Sequence, residues 1–218
     1  MDKKEILSLN KQGKADLHIH SCLSPCASLD MSPRNIAKYG KENGFDVVAL
    51  TDHSSAKNCP AFKYECEKQG VTPLFGMELT TKEELHVLCI TDDLAKAMLF
   101  DKVVEEKILK IPNDLTVFGE QPVVNEKEEV IMQVPYYLGA AVDISVDDIW
   151  GFIDVTDWLV IPSHINRKKY SLISQLGFVP DLPFDAIEIS KNINGLQVPD
   201  DVLNKYQVVY NSDRHFME

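Results

Sequence analysis

Six histidines, His18, His20, His53, His86, His164 and His215, and the carboxylates beside them carry the chemistry legible in this sequence. His18 and His20 stand two apart, and in an extended chain residues two apart project to the same face, so both rings can hold one cation while Ile19 faces the other way. Asp213-x-His215 repeats the spacing near the other end, Asp52 precedes His53, and Glu78 follows Gly76-Met77. Imidazole and carboxylate donors suit Zn²⁺, Mn²⁺ or Fe²⁺, and a carboxylate such as Glu78 or Asp213 can bridge two cations. One such pair is weak evidence. All six histidines near strand ends, with none in a helix-like segment, make a metal or catalytic cluster the better reading.

The elements that must position these residues alternate. Short β-rich runs at Asp16 to His20, Asp46 to Thr51, Val71 to Gly76, Leu85 to Ile90, Trp158 to Pro162, Ala186 to Ile189 and Gln207 to Tyr210 are separated by helix-like stretches. That rhythm predicts an α/β fold with parallel strands, whose C-terminal ends converge on one crevice and let sequence-distant ligands meet. Helix signals are Ser32-Pro33 running to Gly44, Pro60 to Gly70, Thr91 as a cap leading into Leu94 to Leu109, and Ser145 with Asp148 opening a helix to about Val155. Asn166 to Leu176 and Pro199 to Tyr206 read as shorter helices. Between Ile111 and Val142 the rhythm lapses, and Val117 to Val134 reads as an inserted hairpin. No repeat or Gly/Ser linker divides the chain, so residues 1–218 are expected to form one domain with that small insertion at about 111–142.

The chain has 22 Lys plus Arg against 34 Asp plus Glu, a net charge of −12. That sign argues against coating duplex nucleic acid by bulk electrostatics and disfavours any long polyanionic partner. Divalent ions held by the histidine cluster would make the pocket locally cationic despite it. No apolar run approaches the roughly 20 residues of a membrane span. The N-terminal residues lack a secretory pattern and the five cysteines are an odd number, which together predict reduced thiols and a cytoplasmic location. Arginine occurs only at 34, 167 and 214. Arg167 lies three residues past His164, whereas Arg214 by alternation points away from its flanking ligands.

Asp16-Leu17-His18-Ile19-His20-Ser21, Thr51-Asp52-His53, Gly76-Met77-Glu78, His86, Pro162-Ser163-His164 and Ser212-Asp213-Arg214-His215 together resemble, in order and spacing, the successive motifs of the polymerase and histidinol phosphatase (PHP) superfamily. The resemblance implies a distorted (β/α)7 TIM-like barrel and a two- or three-metal centre hydrolysing phosphoesters, and with the acidic net charge it implies a small phosphorylated substrate or a short oligonucleotide as the partner. It implies that His18, His20, Glu78 and Asp213 bind one metal, that Glu78 bridges to a second held by His86 and His164, and that His53 and His215 belong to a third. The family often completes that third position with an Asp or His just after the first motif. This chain has Ser24-Pro25-Cys26 there, where Cys26 is either a thiolate ligand or a free cysteine. Asp52 is expected to orient a ligand histidine in support of catalysis, and Arg167 to hold substrate phosphate. The competing readings are an amidohydrolase-type metal hydrolase and a catalytically silent, metal-stabilised interaction module.

Overall fold

The computed structural model describes residues 1–191 and 195–217. Its strands are β1 (Ala15–Asp16), β2 (Val47–Leu50), β3 (Thr72–Thr80), β4 (His86–Thr91), β5 (Pro122–Val124), β6 (Val130–Gln133), β7 (Leu159–Pro162), β8 (Ile187–Glu188) and β9 (Val208–Val209). The helices are α1 (Lys3–Lys11), α2 (Pro33–Glu42), α3 (Cys59–Gln69), α4 (Leu94–Lys107), α5 (Leu115–Phe118), α6 (Leu172–Leu176) and α7 (Asp200–Lys205). The architecture is mixed α/β around a curled five-stranded sheet ordered β1-β2-β3-β4-β7, with two further pairs, β5-β6 and β8-β9.

Period-two alternation sorts the strand residues onto two faces. Val47, Ala49, Leu74, Leu88, Ile90, Leu159 and Ile161 pack together inside the curl with Ile6 and Leu7 of α1. Val48, Leu50, Phe75, Met77, Leu79, Val87, Cys89 and Val160 point outward against the helices. Glu78 keeps phase with Leu74, and His86 keeps phase with Leu88 and Ile90, so both are delivered to the inner face. Gly76 lies between Leu74 and Glu78 because a Cβ there would stand 2.0 Å from the Cys89 carbonyl oxygen.

The sheet is not wholly parallel. β4 runs antiparallel to both β3 and β7, with Gly76 paired to Ile90 and Thr80 to His86. Since β4 is reversed, its first residue lies at the rim where its neighbours end, which is how His86 reaches the other histidines. β1 is only two residues long, so His18 and His20 lie beyond it and not within a strand. Their alternation is preserved because Ile19 bridges to Arg214, with His20 N–H donating to the Arg214 carbonyl. β3 extends through Glu78, further than its turn-like Gly76 suggests.

Caps follow local chemistry. The Ser32 hydroxyl accepts from Asn35 N–H at the start of α2, and Gly70 closes α3 in the left-handed region. Asp93, not Thr91, caps α4, taking the N–H groups of Ala95 and Lys96. Ser145 opens a 3-10 turn, Val146–Gly151, and its hydroxyl goes to the Asp148 carboxylate instead of to the backbone. The helix expected from Asn166 begins only at Leu172, capped by Ser171, and α1 was not foreseen. β5 and β6 pair antiparallel around a turn in which Asn125 accepts from Lys127 and Glu129 N–H. Asn58 ties β5 to the body, donating to the Pro122 carbonyl and to Ser21 Oγ and accepting from Val124 N–H. All five cysteines are free, and among the described residues no helix is long and apolar enough to cross a membrane.

Candidate metal centre

Each chemistry-bearing residue is set by backbone at one rim of the sheet. Past Leu50 the β2–β3 ladder continues, with Glu78 N–H donating to the Asp52 carbonyl and Ser54 N–H to the Glu78 carbonyl, which lays His53 beside Glu78. His164 follows β7 at φ 31° and Asp213 stands at φ 47°. Such positive φ values in residues other than glycine cost of order 1–3 kcal/mol and persist where surrounding contacts hold them.

Five imidazoles converge on the buried Glu78 carboxylate. Its Oε1 is 3.3 Å from His18 Nε2, 3.2 Å from His86 Nδ1 and 3.2 Å from His164 Nε2. Its Oε2 is 3.4 Å from His20 Nε2 and 3.3 Å from His53 Nδ1. Asp213 Oδ1 lies 3.2 Å from His18 Nε2 and 3.5 Å from His20 Nε2, and those two nitrogens are 3.1 Å apart. Donors held 2.0–2.1 Å from a tetrahedral cation are about 3.4 Å from one another, the spacing found here. His53 Nδ1, Glu78 Oε1, His86 Nδ1 and His164 Nδ1 are buried without a hydrogen-bond partner. Burying so many unmet polar atoms is costly, and a shared cation would satisfy several of them. The residues present therefore fit divalent metal.

The surroundings fix which nitrogen faces inward. Glu188 Oε2 lies 3.0 Å from His18 Nδ1, so Nδ1 carries the proton and Nε2 is left for the centre. Glu188 also accepts from His164 N–H and from the Asn211 side chain. Ser24 Oγ accepts from His53 N–H, lies 3.0 Å from His20 Nδ1 and donates to Asp52. Asp52 thus touches no ligand ring. It acts through Ser24 and also accepts from Ser21 N–H and Oγ. Asp16 takes the N–H groups of His18 and Ser212, stapling the first and last motifs together. The Arg167 guanidinium pairs with Asp213 Oδ2, and Arg214 lies over the Tyr39 ring. Glu188 and Tyr170, whose ring stacks on His86 at 4.7 Å, escaped the sequence reading. For Glu188 there was a signal, a lone carboxylate in the apolar run Ala186-Ile187-Glu188-Ile189.

Electrostatics divides the histidines. Burial opposes charge on His18, but Glu188, Glu78 and Asp213 outweigh it and hold the imidazole well above its ordinary pKa. His20 is raised too, burial being overcome by hydrogen bonds to Asp213 and Glu78. Burial, then the neighbouring His20, pushes His53 well below the usual value and His215 down to about 4. Burial also lowers His164. Glu78 is held well below the carboxylate range despite burial, by His86 and His18, and Asp213 likewise by His18 and His20.

Three groups bring their donor atoms within 4.8 Å of one another: His18, His20 and Glu78; His53, Glu78 and His86; and His20, Cys26, His53 and His215. His53 thus belongs with Glu78 as well as with His215, whereas the resemblance assigned it to the third position alone.

The PHP domain family model matches residues 16–137. An uncharacterized protein of Methanocaldococcus jannaschii is 32% identical over 102 residues, 43% of this chain and 60% of that protein. The lesion-specific endonuclease EndoQ of Pyrococcus furiosus superposes with a TM-score of 0.61 at 20% identity, over 94% of this chain and 48% of its own. A protein of Bifidobacterium adolescentis assigned as a metal-dependent phosphoesterase superposes at 0.57 and 15% identity, over 92% of this chain and 87% of its own. At those identities the superpositions speak for the fold. The chain spans 60% of its relative and about half of the endonuclease.

Proposed function

The chain belongs to the PHP domain family, and from that premise we propose that it is a metal-dependent phosphoesterase acting on a small phosphomonoester, a nucleotide or a short oligonucleotide. The observation that carries this reading is the convergence of five imidazoles on Glu78, with Asp213 completing the set. In this reading His18, His20, Glu78 and Asp213 hold one cation, His53 and His86 share Glu78 around a second, and His164 and His215 close the two sides. The seven-stranded (β/α) barrel belongs to the same proposal, as does one domain over residues 1–218.

Divalent metal, when bound, lowers the pKa of water and neutralises phosphoryl oxygens. The protein's own groups supply geometry. Glu188 and Ser24 hold His18 and His20 in the tautomer that presents Nε2 inward. Asp213 turns Oδ1 to those histidines and Oδ2 to Arg167, which places the guanidinium at the rim, where it can take a phosphoryl oxygen through planar N–H donors. Asp52 is a positioning residue acting through Ser24. Tyr170, exposed and stacked on His86, offers a flat apolar wall beside the reacting group.

The test is hydrolysis by chelator-stripped protein resupplied with Mn²⁺ or Zn²⁺, with a phosphomonoester, a phosphodiester and a short oligonucleotide side by side. Metal-dependent turnover of one of them supports the reading and names its bond class. Glu78→Gln is expected to cost more than the 10–100-fold typical of groups that only orient a ligand, to about 100-fold or beyond, with circular dichroism unchanged. Inactivity toward all three despite bound metal would turn the assignment toward amide substrates or a silent interaction module.

A further inference from the structure

Tyr170 stands in the left-handed region at φ 55°, a conformation that costs free energy in any residue with a Cβ and persists where surrounding contacts impose it. Here they do. Arg167 N–H donates to the His164 carbonyl, Ser171 Oγ to the Arg167 carbonyl, and His86 N–H to the Tyr170 carbonyl. The last of these bonds ties the loop after His164 to the first residue of β4. It lays the Tyr170 ring flat on the His86 ring, with centroids 4.7 Å apart and planes 12° apart. One face of the phenol ring is thus covered by an imidazole of the centre, yet Tyr170 stays 43% exposed, and its hydroxyl has no hydrogen-bond partner among the described residues. What the position presents is therefore the outer face of the ring. Lys168 and Lys169, just before it, are exposed, and neither pairs with a carboxylate among the described residues. In a chain of net charge −12 this loop is a locally cationic stretch of the rim.

We infer that the outer face of Tyr170 is a stacking platform for a nucleobase, so that among the phosphoesters proposed above the centre selects those that carry a base. This rests on the phosphoesterase reading and sharpens its substrate. A flat π-system gains from offset stacking on a tyrosine held rigid from behind, whereas the puckered, hydroxylated body of a sugar phosphate does not. Every base has a π-face, so the platform discriminates base from no base and is tolerant of which base it is. Lys168 and Lys169 add the positive charge that a phosphate next to the stacked base would meet. A free nucleotide and the end of a short strand offer this same chemistry.

The test uses full-length chain resupplied with Zn²⁺ and two matched sets of substrate: AMP against ribose 5-phosphate, and a two-nucleotide strand against the same strand lacking its 5′ or its 3′ base. The readout is the ratio of kcat/KM within a set, which cancels whatever a variant does to turnover in general. The parent chain is expected to favour the base-bearing member of at least one set by about 5–150-fold, the worth of one stacked base. Which set shows the preference distinguishes a free nucleotide from a strand end. In Tyr170→Ala the ratio should fall toward one, and Tyr170→Phe should keep it because the hydroxyl makes no bond. A second readout needs no turnover. The base protons of a nucleoside phosphonate that the centre cannot hydrolyse are expected to shift upfield in the parent chain and in Tyr170→Phe, and not in Tyr170→Ala. A ratio near one in the parent chain for both sets, or a preference that survives in Tyr170→Ala, would overturn the platform and leave the phosphoesterase standing. If no member of either set is turned over, the phosphoesterase reading falls and the proton resonances alone decide, an unshifted base overturning the platform as well.

Discussion

A histidine ligates through whichever ring nitrogen its other hydrogen bond leaves over, and at His18 that choice is made by Glu188. Replacing Glu188 with Gln removes the charge that fixes the tautomer while keeping the shape, so metal affinity should fall about 10–100-fold with the fold intact. Competition against a chromophoric chelator reads this directly, and unchanged affinity would show that Glu188 serves structure alone. The same carboxylates give the site a pH dependence. With His18 and His20 raised above the ordinary imidazole value, the metal-free centre holds its protons to higher pH than free imidazoles do, and a cation must displace them. Apparent affinity should therefore climb with pH until those two groups are deprotonated, and binding near pH 7 should release protons. Calorimetry in two buffers of different ionisation enthalpy measures that release. For the metal-free protein the sign reverses. The raised pKa of His18 contributes stability below the unfolded value of about 6.5, lost as pH rises through its folded value, whereas depressed Glu78 contributes stability above about 4.3, lost as pH falls.

At the scale of elements, the antiparallel β4 decides the site. Its first residue is His86, and only a strand running against its neighbours brings a first residue to the rim where β3 and β7 finish. The close β3–β4 pairing depends on Gly76, because any Cβ there would collide with the Cys89 carbonyl, and backbone cannot move aside as a side-chain tip can. Gly76→Ala should accordingly cost on the order of 4 kcal/mol or more, the range reserved for strain in a packed core. Urea denaturation checks it, and a loss under about 1 kcal/mol would mean that the strands can separate locally. The segment after His53 is held from outside the sheet. Buried Asp101 on α4 accepts from Ser55 Oγ, Ala56 N–H and Lys57 Nζ, so the helix layer fixes where the second motif ends.

For the whole molecule, the clustered donors predict that metal and fold are coupled. A cation that binds only the native state stabilises it by about 2.7 kcal/mol at a hundred times its Kd. At about 2–4 °C per kcal/mol for a chain of this size, melting should rise about 5–11 °C when chelated protein is resupplied with metal. Scanning calorimetry across a Mn²⁺ or Zn²⁺ titration follows this, and a midpoint indifferent to metal would argue against a centre formed in the folded chain. The net charge of −12 fits the proposed function, in which attraction for phosphate would be confined to one rim when metal is bound there.

What the sequence determined by itself were the motifs, because His-x-His, Asp-His and Asp-x-His are local patterns and alternation places their side chains without knowledge of the rest of the chain. Helix starts at Ser32-Pro33 and the stop at Gly70 were legible for the same reason, being matters of a few adjacent residues. The tertiary structure alone decided the direction of β4, since hydrophobic periodicity is the same read either way along a strand. It alone brought Glu188 to His18, 170 residues apart in the chain, and set Cys26 against His215. It also set which histidines stand together, with His53 beside Glu78, because that grouping depends on distances between side chains which no spacing along the chain encodes.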